Sequence, residues 1–356
     1  MYNASHSGWK SEQFLYSLAF IPYEYCSSVL YCCLSLKKEL DIEEFGNHTD
    51  LQYLAAAKKQ YHGLRTLLAI GGSSSPLASF RHLVSSQAHQ DVLVQLAARW
   101  MQMRHFDGAY LYWPEMQDID NSDVIGAFRH LATSFNKLGL KLGIILPVNN
   151  QAFAMEAALE ALTKDLDGFY DQIFLSPTYS FETSNGSALS YHTEWLPRAY
   201  DTYPTNLPTP YSVSFCPMIP FWGRTFTMKA TLQESAVVLK PTGSGAPRVT
   251  SGEPGKVAFF EICRELNNSE IILATREQFM IRNEYVTALT PSSLKRHLSS
   301  MVARKPWRCF GSWGVEWDDF GGSCGSVRYP LLKTLSEFQV KHLMNMTAGA
   351  GASSAI

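Results

Sequence analysis

The sequence predicts an α/β barrel of the TIM type, eight parallel strands each followed by a helix, and two observations predict it. Short apolar runs of strand length alternate with longer segments of helical apolar spacing, which is the order in which a parallel sheet is built. The 356 residues also suffice for one barrel of about 250 residues and one small inserted domain.

Taken in order, Phe14 to Ile21 is an apolar run and reads as the first buried strand, with Val29 to Leu36 as the second. Thr49 to Tyr61 has helical spacing, and Leu64 to Ile70 is the third strand, closed by the turn Gly71-Gly72. A single helix is expected over Ser79 to Met103, leading into a fourth strand within His105 to Glu115. Ser122 to Leu138 reads as a helix and Leu140 to Val148 as the fifth strand. Leu162 to Gln172 leads into the sixth, Ile173 to Leu175. Thr178 to Pro210 is a long polar connection bearing prolines, suited to the rim of a cleft. Ser212 to Ile219 is the seventh strand, Ser292 to Val302 a helix, Arg308 to Trp313 the eighth strand, and Tyr329-Pro330 opens the last helix. The tail, 339 to 356, ends in Gly, Ala and Ser without core-forming content and is expected to be disordered.

Several chemistries are excluded. A net charge of -2 without a lysine or arginine run gives no footprint for nucleic acid or an anionic membrane. No apolar run approaches the roughly 20 residues of a membrane span. There is no C-x-x-C, H-x-x-x-H or H-E-x-x-H spacing for a metal, no phosphate loop after Gly71-Gly72, and no G-x-S-x-G elbow. No metal and no cofactor are expected. The adjacent Cys32 and Cys33 face opposite sides of a strand and read as buried free thiols. Met1 to Lys10 lacks the apolar core of a signal peptide, yet five of twelve asparagines (Asn3, Asn47, Asn185, Asn267, Asn345) sit in N-x-S/T acceptors, and secretion is the expectation.

The stretch that carries function is His105 to Glu115 (HFDGAYLYWPE). It resembles the fourth-strand signature of glycoside hydrolase family 18, the chitinases and chitinase-like proteins, which reads D-G-x-D-x-D-x-E. Asp107 and Gly108 match; Tyr110, Tyr112 and Pro114 stand where the carboxylates would be. Other phrases follow in order from about Phe14 to Phe338: the third strand with its glycine pair, Pro220-Phe221-Trp222-Gly223-Arg224-Thr225-Phe226, and Trp313 to Phe320, similar to W-x-x-D-x-D-D-F. The resemblance implies a small α+β insertion between the seventh strand and seventh helix. The barrel would then occupy 1–227 and 287–338, with the insertion at 228–286.

In the family the three carboxylates form a relay whose last member protonates the leaving oxygen, while the substrate's acetamido oxygen attacks. Residues two apart share a strand face, so Tyr110, Tyr112 and Pro114 would line the barrel interior, and none is a competent acid near neutral pH. Glu115 lies one residue late and points the other way. The resemblance places Trp313 on the tryptophan that floors the sugar site and Trp222 on a family tyrosine, while Ser73 replaces another stacking tryptophan. Ser176, Thr178 and Tyr179 fall near the Met-Tyr-Asp that holds the acetamido group. A Cys263–Cys324 disulfide is implied, whereas Cys26 lacks the partner that relatives have in the first strand. The implied function is a catalytically inactive chitinase-like protein with a glycan ligand, an N-acetylglucosamine oligomer held between Trp313, Trp222, Tyr110, Tyr112 and Tyr179, or a secreted signalling role. The alternatives are a weak or altered glycosidase and a scaffold with a filled cleft that binds a protein partner.

Overall fold

The computed structural model describes residues 1–3, 16–37, 42–44, 51–114, 121–148, 172–177, 196–201, 203, 205, 213–233, 236–268, 271–274, 278–281 and 283–353. In chain order the elements are β1 (Tyr2–Asn3), β2 (Ser28–Leu36), β3 (Ile42–Glu44), α1 (Leu51–Gln60), β4 (Arg65–Gly71), α2 (Leu77–Val84), α3 (Gln87–Met103), β5 (Gly108–Tyr112), α4 (Asn121–Lys137), β6 (Lys141–Pro147), β7 (Gln172–Ser176), α5 (Leu196–Asp201) and β8 (Ser214–Pro220). There follow β9 (Gly223–Gln233), β10 (Ala236–Ser244), β11 (Lys256–Val257), α6 (Phe259–Asn268), β12 (Ile271–Ala274), β13 (Gln278–Ile281), β14 (Glu284–Thr287), α7 (Pro291–Arg304), β15 (Gly311–Trp313) and α8 (Pro330–Ser353).

The barrel strands run in the order β1-β2-β4-β5-β6-β7-β8-β15, all neighbours parallel, with β3 pairing antiparallel to the end of β2. The ring closes between its ends: Met1 N donates to Ser312 O at 2.5 Å, and Val315 N donates to Met1 O at 3.0 Å. A separate antiparallel sheet, β10-β9-β14-β13-β12 with β11 beside β9, stands with α6 between β8 and α7. It begins at Gly223, closer to the barrel strand than the expected boundary at 228.

Four expectations need correction. The first barrel strand is Tyr2–Asn3, not Phe14 to Ile21; within the latter, Leu18–Phe20 form a 3-10 turn capped by Ser17, whose hydroxyl accepts Ala19 N–H. Tyr16, Leu18 and Ile21 are apolar because they are buried in a turn, and an apolar run alone cannot tell a strand from such packing. The single helix over Ser79 to Met103 is two, because Ser86 leaves the helix and caps α3 by accepting His89 N–H at 3.3 Å. The thiols of Cys32 and Cys33 are not free but joined to each other. The register of β2 against β4 shifts between Tyr31 and Leu34, so the strict alternation of faces that the expectation assumed does not hold there. Last, α8 runs on through Ser353, into the segment expected to be disordered.

Two other disulfides tie the layers together. Cys263–Cys324, S–S 2.02 Å, joins α6 to the turn after β15. Cys216–Cys309, missed in the sequence, links β8 to the segment entering β15. Cys26 is the one free cysteine of the seven, all of which lie in described residues.

Candidate functional site

The five residues of β5 are all buried, so composition does not reveal which side chains face the barrel axis. Packing does. Trp113, next along the chain, stacks on Phe80 of α2 with centroids 4.8 Å apart and planes at 13°, so its parity faces the helices. Tyr110 and Tyr112 therefore face the interior. Tyr110 lies beside Gly143 of β6, with which it is in register. A Cβ on Gly143 would stand 2.3 Å from Tyr110 Cε1. The missing side chain of one strand makes room for the ring of the next. The Tyr110 ring also packs on Phe174 at 4.7 Å, and its hydroxyl donates to Gln172 O at 3.3 Å.

Tyr112 sits one layer nearer the C-terminal mouth. Its hydroxyl shares a hydrogen bond with Ser176 Oγ at 3.2 Å, and its ring meets Trp313 edge to face at 5.2 Å. Tyr112 O accepts Gly72 N–H at 2.8 Å, and Gly71 has φ 106 with its Cβ position only 2.3 Å from that same oxygen, so only glycine fits. Pro114 is half-buried at the strand end. Glu115, Thr178 and Tyr179 lie outside the described residues.

Trp313 and Trp222 are each only 7% exposed. Trp222 packs edge to face on Trp317 at 6.1 Å, and the Lys256 ammonium lies 5.1 Å from the Trp222 ring and 5.7 Å from that of Trp317. Glu253 holds that ammonium at 2.6 Å. Trp222 Nε1 is buried and has no hydrogen-bond partner among the described residues. The structure thus brings Tyr112, Ser176 and Trp313 into one contact set, while Trp222 belongs to a second cluster against β11.

The carboxylates after β15 are structural. Asp318 accepts N–H groups from Asp319, Leu331 and Leu332, and so caps α8 from a distance. Asp319 accepts Ser323 and Cys324 N–H, both at 2.7 Å, and shapes the turn that carries the disulfide. Glu316 accepts Asn3 N–H at 3.5 Å, and all three carboxylates are fully buried. Burial lifts the Asp318 carboxyl from an ordinary 3.8 to about 7, outweighing the three backbone donors that favour the ionised form. Between about pH 4 and 7 the folded state therefore binds more protons than the unfolded one, and stability falls as pH rises through that window. Urea midpoints of the unmodified protein are expected to rise from pH 7.5 to pH 5 more steeply than those of Asp318→Asn. Parallel profiles would refute the assignment.

Sequence reasoning missed Gly143 and the partnership of Tyr112 with Ser176. A lone glycine inside the strand LKLGIILPV was a legible signal of close approach. Nothing in the sequence pairs Tyr112 with Ser176, 64 residues apart.

Residues 1–318 match the family described as Glycosyl hydrolases family 18. Chitotriosidase-1 of Mus musculus is 23% identical, the alignment covering 88% of this chain and 71% of the mouse protein. Among solved structures, the immunomodulatory active chitinase from Trichuris suis superposes with a TM-score of 0.75 at 16% identity, over 95% of this chain and 98% of that one. Human YKL-39, described as a pseudo-chitinase with retained chitooligosaccharide binding properties, superposes with a TM-score of 0.73 at 19% identity, over 95% and 97% of the two chains. A family pattern matched over nearly the whole barrel, on a fold with these strands in this order, means that the chain belongs to glycosyl hydrolases family 18.

Proposed function

We propose that this chain is a non-hydrolytic member of the family that binds N-acetylglucosamine oligomers at the barrel mouth and cleaves none of them. One observation carries the reading: at the relay positions the interior holds two tyrosine rings packed on Gly143, Phe174 and Trp313. The described carboxylates after β15 are sealed from solvent and occupied by backbone N–H groups, which supports the absence of a substitute acid there. The description of human YKL-39 supports the pairing of lost catalysis with kept binding in this fold. Three disulfides fit an extracellular protein. Of the expected glycan acceptors, Asn345 is exposed on α8 and Asn3 is half-buried in β1.

A second reading, a scaffold that binds a protein partner, is favoured by the burial of both tryptophans. At 7% exposure Trp313 offers on the order of 20 Å² of surface, worth ~0.5 kcal/mol or about twofold in affinity, against roughly 30-fold for a fully stacked face. Titration calorimetry with a chitooligosaccharide is expected to detect binding that Trp313→Ala weakens by about twofold. A labelled oligomer is expected to show no turnover. No heat at millimolar ligand would overturn the glycan reading in favour of the scaffold, and turnover abolished by changing one carboxylate would overturn both.

A further inference from the structure

The bond between Cys32 and Cys33 differs in kind from the other two. Cys216–Cys309 and Cys263–Cys324 join residues 93 and 61 apart, and such closures stabilise the fold by restricting the unfolded chain. By linkage, folding makes each of them roughly a thousandfold harder to reduce. Cys32 and Cys33 are neighbours in any conformation. Their bond closes no loop of chain, so folding adds little to its resistance, and opening it releases no part of the barrel.

Its position gives the bond a use. The β2–β4 ladder pairs Tyr31 with Leu68 and Leu34 with Ile70, so it passes over both cysteines, and they can rearrange without breaking it. The Cys33 side chain reaches the interior layer that holds Tyr112. A Cβ on Gly72 would stand 3.0 Å from Cys33 Sγ and 3.4 Å from Tyr112 Cδ1, so the sulfur and the ring meet over that glycine. Gly72 also donates its N–H to Tyr112 O, and Tyr112 in turn contacts Ser176 and Trp313. Just beyond the cysteines, β2 is pinned to the loop after Gly72: Leu36 N–H donates to Ser75 Oγ at 2.8 Å, and Ser35 Oγ donates to Ser74 O at 3.3 Å.

We infer that Cys32–Cys33 is a redox switch on the glycan site. Closed, the pair fits against Gly72 and leaves Tyr112 and Trp313 in place to take an oligomer; opened by a dithiol, it displaces them and weakens binding. The inference rests on the glycan reading. In the step, the Cys32–Cys33 S–S bond breaks and each sulfur takes up one electron and one proton, while the dithiol gives up two of each and closes to its own disulfide. The sulfurs part from a bonded distance of about 2 Å to nonbonded contact at roughly 3.5 to 4 Å. Both cysteines are buried and the strand is pinned beyond them, so that movement is directed at Gly72 and the Tyr112 ring.

The test equilibrates the protein in graded ratios of reduced to oxidised dithiothreitol, traps free thiols with iodoacetamide and maps them by peptide mass. Cys32 and Cys33 are expected to be alkylated at ratios where the other two bonds remain closed. Calorimetry with a chitooligosaccharide at such a ratio is expected to show about tenfold weaker binding than in the oxidised protein, and saturating oligomer to raise the ratio at half-reduction by the same factor, as reciprocity requires. The double replacement Cys32→Ser with Cys33→Ser is expected to bind like the reduced protein and to ignore the dithiol. Equal affinities in the two redox states, or earlier opening of either other bond, would overturn the switch and leave the glycan reading standing. No binding in either state would overturn that reading and the switch with it.

Discussion

Gly143→Ala is expected to destabilise the barrel by about 3 kcal/mol, the upper end of what overpacking a well-filled core costs. The added methyl would stand 2.3 Å from Tyr110 Cε1, 2.5 Å from Cζ and 2.7 Å from Cδ1. Tyr110 is fully buried and held between Phe174 and the Gln172 carbonyl, so the ring has no route of retreat. The backbone is not the obstacle, because Gly143 is not among the residues with positive φ. The effect is therefore steric and specific to its partner, and a double-mutant cycle isolates it. Tyr110→Leu alone leaves a partly empty interior and is destabilising, but adding Gly143→Ala to it should cost about 2 kcal/mol less than adding it to the unmodified chain. Denaturant unfolding of the four proteins measures this, and an equal cost of Gly143→Ala on both backgrounds would show that Tyr110 is not what fills the site. The same pair bears on function, since an aspartate restored at position 110 would face a barrel adapted on its neighbouring strand to a ring.

Loss of the Cys263–Cys324 bridge is expected to be the larger of the two effects. The bond closes a loop with a sequence separation of 61, and the chain-entropy model assigns such a closure about 4 kcal/mol. The loop contains β12 to β14, α7 and β15, so the bridge fastens the inserted sheet's helix to the end of the barrel. Asp319 preorganises the turn by accepting Cys324 N–H, so native strain should subtract little from that figure. The double replacement Cys263→Ser with Cys324→Ser, which leaves no unpaired thiol, should lower the urea midpoint accordingly while the barrel still folds. A change below about 1 kcal/mol would place the value of the bridge elsewhere than in chain closure.

The sequence by itself determined the alternating order of strands and helices, and with it an α/β architecture on a parallel sheet, because burial on both faces writes parallel strands as apolar runs, and the order of its family-like phrases narrowed that to a barrel. It also determined what positions 110, 112 and 114 can supply, since chemistry follows from residue type: tyrosine and proline are not carboxylates in any conformation. That alternate residues of β5 share a face was equally legible, because the strand period is 2, but which set faces the interior was fixed only by the stacking of Trp113 on Phe80. Tertiary structure alone decided the rest. The true first strand is two residues long and gains its identity from neighbours 29 residues downstream and at the far end of the chain, so no local pattern marks it. The partners of Tyr112 and the Cys216–Cys309 bond join residues 64 and 93 apart. Above all, the fate of Trp313 was undetermined. An aromatic residue in that position can floor a sugar site or complete a core, and the choice rests on whether a neighbouring ring lies against it, as Tyr112 does at 5.2 Å.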